Sequence, residues 1–128
     1  MLGKAERRLH GRGSAVSLSE GDACDIHQPT ASMDTVVEFG VIHHVPDWRT
    51  SVAEIARVLK PGGLLLFEDV PRHTLQTWLF RTFTVHPTED RFEADEFADG
   101  LAAAGLVPVA PPEKHFGGYA FAGAARKA

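Results

Sequence analysis

One cysteine, Cys24, stands in 128 residues, so an internal disulfide framework is excluded and so are most cysteine-built metal sites. The sequence also has no apolar run approaching the roughly 20 residues that cross a bilayer. Its longest wholly apolar stretches are of the kind Leu64-Leu65-Leu66-Phe67. The residues Met1 to Arg8 carry no apolar signal-peptide core, which predicts a cytoplasmic protein. An excess of positive charge is missing as well: 13 Lys and Arg stand against 17 Asp and Glu, a net charge of −4. No overall positive field exists to hold nucleic acid or an anionic membrane, and neither is expected as a partner.

What remains is ordinary for a globular chain, 44% hydrophobic and 23% charged. The length fits one domain, or part of one, able to bury a core without staples. Lys4, Arg7, Arg8 and Arg12 sit against Glu6 on a weakly helical pattern that Gly11-Arg12-Gly13 ends. Without interleaved aromatics, they read as a solvated helix face. Ala15–Ser19 alternates apolar and polar residues and is predicted as a short strand. Met33–Phe39, with its β-branched Thr35-Val36-Val37, predicts a more buried one.

Ser51-Val52-Ala53-Glu54 fits a capping box, and Val52, Ile55, Val58 and Leu59 share one helical face. Pro61-Gly62-Gly63 ends that helix, and the continuous apolar run Leu64 to Phe67 predicts a strand covered on both faces. Strand, helix, turn and strand make a βαβ unit, whose ligand crevice lies beyond the strand ends Phe39-Gly40 and Glu68-Asp69. Beyond Arg72, the spacing of Leu75, Trp78, Leu79 and Phe83 predicts a helix. The acidic stretch 89–99 continues into a helix with Phe97, Leu101 and Ala104 inward and Gly105 at its end. Val107-Pro108-Val109 predicts an edge strand and Tyr119-Ala120-Phe121 a final strand. The fold class is α/β.

Gly21-Asp22-Ala23, Met33-Asp34-Thr35-Val36-Val37, Val41-Ile42-His43-His44-Val45, Asp47-Trp48 and Glu54 to Gly63 carry a resemblance in their order and spacing. Together they resemble the class I S-adenosylmethionine-dependent methyltransferases, above all the small-molecule group that includes ubiquinone- and menaquinone-type enzymes. The resemblance implies a Rossmann-like sheet, with the closest match over residues 15–70 and helices and strands of one partial domain continuing over 73–125. It implies S-adenosylmethionine as cofactor. One departure stands out. The family's glycine-rich loop after its first strand, and the ribose-binding acid after its second, have no counterpart, while Met1-Leu2-Gly3-Lys4-Ala5 resembles the M-L-x-x-A that follows that acid. The expectation is a truncated sheet lacking its first strand-helix-strand unit, and weak or no cofactor binding by this chain alone.

Residue by residue, the resemblance puts Asp22 and Ala23 against adenine, the carboxylate accepting from the exocyclic amine and the Ala23 amide donating to a ring nitrogen. The alternative for Asp22 is a turn-forming acid after Gly21. Phe39 falls where a backbone carbonyl lies near the methionine end. His43 and His44 fall where acceptor and sulfonium meet, and either could serve as a general base or as a structural histidine. Adjacent histidines at a strand end point apart, so no metal is expected. Trp48 is read as an anchor for the helix start and Cys24 as an inert thiol. The function implied is methyl transfer to a small organic acceptor. The alternative is a catalytically inactive remnant or interaction subunit of a split enzyme, whose bared strand edge leads to self-association or to a complementing chain.

Overall fold

A computed structural model describes residues 2–77 and 90–128. Helix α1 (Leu2–Leu9) exposes Lys4, Arg7 and Arg8, and a 3-10 segment (His10–Ala15) follows, turned at Gly13 with φ +53°. Ala15–Ser19, expected as a strand, is not one: Ala15 ends the 3-10 segment, and residues 16–19 form no ladder among the described residues. Alternation alone does not make a strand. Its backbone groups need a ladder partner, and among the described residues none lies alongside.

Strand β1 (Met33–Phe39), helix α2 (Trp48–Val58) and strand β2 (Leu59–Asp69) form the expected βαβ unit, with β1 and β2 parallel. The helix starts one turn earlier than the capping box implies. Asp47 is the N-cap, its Oδ1 accepting the Thr50 N–H at 3.2 Å while the Thr50 hydroxyl donates to Oδ2 at 2.7 Å. Ser51 instead lies inside the helix and is buried. The Pro61-Gly62-Gly63 punctuation does not separate helix from strand. β2 begins at Leu59, and the glycines sit within it where the pairing with β1 shifts register between Met33 and Thr35.

Past β2 come the short helix α3 (Arg72–Leu75), helix α4 (Ala94–Ala103), and strands β3 (Leu106–Pro108), β4 (Glu113–His115) and β5 (Ala120–Lys127). Of the helix expected beyond Arg72, Trp78, Leu79 and Phe83 lie outside the described residues. α4 starts with a reciprocal capping box between Glu93 and Glu96, so those acids cap the helix as well as facing solvent. The sheet order is β1-β2-β5-β3, with β5 antiparallel to β2 and β3, and β4 pairing with part of β5. Pro108 lies on an edge strand, as a proline must.

The core lies on one side of this sheet. Trp48, Val52 and Ile55 of α2 and Phe97 and Leu101 of α4 pack with Leu65, Phe67, Phe121 and Ala125. Each Val, Ile, Leu or Phe among them removed from water contributes about 1.5–3 kcal/mol. The opposite face corrects the expectation of two-sided cover: Val37 is 54% exposed, Phe39 66% and Leu66 39%. The reason is that α2 and α4 both pack against the same face, so an unbroken apolar run is buried only at alternate positions.

Candidate functional site

The strand ends that the βαβ unit brings together carry the site. Phe39 pairs with Glu68, and the chain leaves β1 through Gly40, whose φ of +64° is a left-handed conformation suited to glycine. The Gly40 N–H donates to the Glu68 carbonyl at 2.8 Å. A tight turn follows, with a 3-10 segment over Ile42–His44.

Two carboxylates hold that turn. Glu38 Oε1 accepts the N–H groups of Val41 (2.6 Å) and Ile42 (3.2 Å), and Asp69 Oδ2 accepts that of His43 at 3.2 Å. The His44 N–H closes the turn on the Val41 carbonyl at 2.9 Å. Asp69 Oδ1 accepts the Val70 N–H at 2.7 Å and also meets His43 Nδ1 in a short contact. That contact puts a proton on Nδ1 and, in the neutral ring, leaves the lone pair on Nε2.

The two histidines therefore separate. His43 is buried at 8% exposure and tied to Asp69 through both backbone and ring. His44 is exposed, its ring centroid 4.1 Å from that of His43 and tilted by 37°. Loss of solvent around its ring, followed by the neighbouring His43, lowers the pKa of His44 below the ordinary imidazole value, with Asp69 acting in the opposite direction. His44 is thus a neutral imidazole at physiological pH, the form a general base requires.

Asp22 and Ala23 lie in a turn of their own. Asp22 Oδ1 accepts the Cys24 N–H at 2.8 Å and the Asp22 carbonyl accepts the Asp25 N–H at 3.1 Å, which is the turn-forming role; its carboxylate remains exposed. Cys24 ties this turn to the N-cap of α2, its Sγ donating to the Asp47 carbonyl at 3.5 Å. Desolvation, then Asp22, Asp47 and Glu54, raise the Cys24 thiol pKa, as befits an unreactive thiol. Farther on, Glu54 Oε2 accepts the Ile26 N–H at 2.9 Å, and Arg57 donates to the Ile26 and Gln28 carbonyls at 2.7 and 2.9 Å, so the segment leaving the Asp22 turn is fastened to α2. Phe39 ends β1 with its side chain on the open face of the sheet. Trp48 anchors the start of α2 from full burial, against Phe92 and Phe97.

A profile of the family described as "Methyltransferase domain" matches residues 1–67. A Mycobacterium tuberculosis protein named a probable S-adenosylmethionine-dependent methyltransferase is 35% identical over 107 residues, covering 83% of this chain and 38% of its own length. This chain belongs to the S-adenosylmethionine-dependent methyltransferase family. A fatty-acid O-methyltransferase of Mycolicibacterium smegmatis is 34% identical over 73 residues, 56% of this chain and 26% of its own. The N-methyltransferase NodS of Bradyrhizobium japonicum, solved with S-adenosyl-L-homocysteine, superposes with a TM-score of 0.71 at 19% identity over 98% of this chain and 61% of that one. The sheet is thus Rossmann-like and methyltransferase-type, and S-adenosylmethionine is the family's cofactor. The chain spans about two-fifths of the length of its Mycobacterium tuberculosis relative.

The donor set suits two parts of that cofactor. An exposed carboxylate beside a main-chain amide at Asp22-Ala23 offers the acceptor and the donor that an adenine edge requires, and His44 presents a ring at the surface of the Phe39–His44 turn. Sequence reasoning missed the two acids beneath the turn. Asp69 was legible merely as a strand end. Glu38 left one signal, an acid at a core-facing position of an alternating strand.

Proposed function

We propose that this chain serves S-adenosylmethionine-dependent methyl transfer to a small organic acceptor. The observation that carries the reading is the pair His43-His44, held by two carboxylates at the C-terminal end of a parallel β1–β2 pair. In this reading Asp22 and Ala23 take the adenine and the Phe39 backbone lies by the methionine end. When bound, the cofactor supplies a methyl group already activated on sulfur, so the protein's task is alignment and proton removal. His44 faces the acceptor and takes its proton through a ring nitrogen. His43, fixed by Asp69, sets the position of the His44 ring.

The test is an amide NMR titration of the chain with S-adenosylhomocysteine, readable even at millimolar affinity. Shifts confined to residues 21–24 and 39–45 support the reading. Shifts centred elsewhere overturn the site.

The open sheet face favours a second reading, in which the chain works through association. β1 is the terminal strand of the described sheet, and Val37, Phe39 and Leu66 stand exposed on the face beside its free edge. The patch lies on the face of the sheet, so two copies related by a two-fold axis can lay their open faces together and cover each other's apolar residues. A complementing chain is the alternative occupant.

A further inference from the structure

We infer that Glu38 is a proton-bearing positioning residue, a neutral acid that holds the His43-His44 turn and leaves Asp69 as the one buried charge beneath it. The inference deepens the proposed function, since it concerns how the same turn is regulated.

Glu38 is 6% exposed, and its alternation along β1 turns the side chain to the core side, opposite Phe67. Oε1 is fully used by the Val41 and Ile42 amides, while Oε2 is buried without a hydrogen-bond partner. A carboxylate in that position would carry a buried, half-solvated charge, which is far more costly than one unpaired hydroxyl. Asp69, 1% exposed, lies beneath the same turn but accepts three donors on its two oxygens. Of the two acids, Asp69 is equipped to stay ionised and Glu38 to keep the proton. The titratable groups that act on Glu38 are Asp69 at the end of β2 and His43 of the turn, and no other ionisable group among the described residues contributes clearly. Desolvation first, and the Asp69 charge second, push the Glu38 pKa up to about 7, against the two turn amides and His43, which favour the charged form.

A pKa raised from 4.5 to about 7 means that the folded chain holds this proton more tightly than the unfolded one. The stabilisation is complete below about pH 4.5 and fades as pH rises to about 7. Above that, a second buried charge works against the turn. The grip on His43 and His44 is thus strongest on the acid side of neutrality.

The experiment uses the chain without cofactor, so its failure is distinct from failure of the methyl-transfer reading. Thermal unfolding from pH 5 to 9 is compared between the wild type and Glu38→Gln, whose amide oxygen can still accept the two turn N–H groups. The expected result is a wild-type folding constant that falls relative to the variant by up to roughly a hundredfold between pH 5 and about 7 and stays level above that. Parallel curves overturn the inference. If the variant does not fold, carbon-13 NMR of the wild-type Glu38 carboxyl decides: a midpoint near 7 supports the assignment, and one near 4.5 overturns it. A purely packing role would leave both readouts unmoved. In Glu38→Leu, where the acceptor is gone, amide exchange at Val41 and Ile42 is expected to speed up. Unchanged exchange there would show that Glu38 does not hold the turn.

Discussion

Phe67 of β2 lies directly across from Gly123 of β5, and a β-carbon built on Gly123 would stand 2.7 Å from the ring's Cζ. The missing side chain is what lets the aromatic ring of Phe67 lie over the neighbouring central strand. Gly123→Ala is expected to destabilise the fold by about 1–3 kcal/mol through overpacking. Phe67→Leu in the same chain should recover part of that loss. Denaturant unfolding of the single and double variants measures the coupling, and additive effects would show that the ring simply moves aside.

That relationship also explains what the sequence could and could not disclose. The βαβ unit was legible because Thr35-Val36-Val37, the α2 face and the Leu64–Phe67 run each carry a local periodic signal. β5 was legible at Tyr119-Ala120-Phe121 alone, since Ala122-Gly123-Ala124-Ala125 has little strand propensity and is a strand because Phe67 and its neighbours need a flat partner. Ala15–Ser19 failed in the opposite way, having the pattern without a partner. At the site, His43 and His44 stood out by residue type, but adjacency in sequence gave no ground for separating them. Asp69, 26 positions along, does so by taking His43 into a buried pair and leaving His44 at the surface.

The Glu54–Arg57 pair fastens the segment after Asp22 to α2. Arg57 donates to Glu54 through Nε and Nη2, both at 2.8 Å, while Glu54 also receives the Ile26 N–H. The Arg57 hydrogen bonds chiefly, and the Ile26 amide next, hold the Glu54 pKa down at about 2. A depressed carboxyl stabilises the fold above its unfolded value of 4.5 and loses that effect as pH falls toward about 2. Glu54→Gln should therefore lower Tm at neutral pH, with the gap to wild type closing over that acid range. A gap independent of pH would mean that the charge is irrelevant and the loss is one of shape.

His43 and His44 should fail differently. In methyl-transfer assays, His44→Ala is expected to lower kcat about 10²–10⁴-fold, the usual contribution of a positioned base, with Tm nearly unchanged. Because the His44 pKa is lowered, the acid limb of the rate profile should lie below the ordinary imidazole value. His43→Ala leaves Asp69 buried without its ring partner and should cost about 3 kcal/mol of stability. If His43→Ala removes activity while stability and His44 titration are preserved, the roles of the two rings are reversed.

The open sheet face should make the chain associate. Thr35, Val37 and Phe39 project on the side away from α2 and α4, next to Leu66 of β2, and the outer edge of β1 has no strand beside it among the described residues. Apolar side chains and unsatisfied backbone groups on one border are what recruits another chain. Size-exclusion chromatography with light scattering, over a dilution series, is expected to give a mass that rises with concentration. Val37→Glu with Leu66→Glu should return it to the monomer, because the new charges would have to be buried in any contact through this face. Neither substitution touches the core side, so cooperative unfolding should survive in the double variant. A wild-type mass that stays monomeric at every concentration, with cooperative unfolding, would sink the association reading and leave methyl transfer as the one that stands.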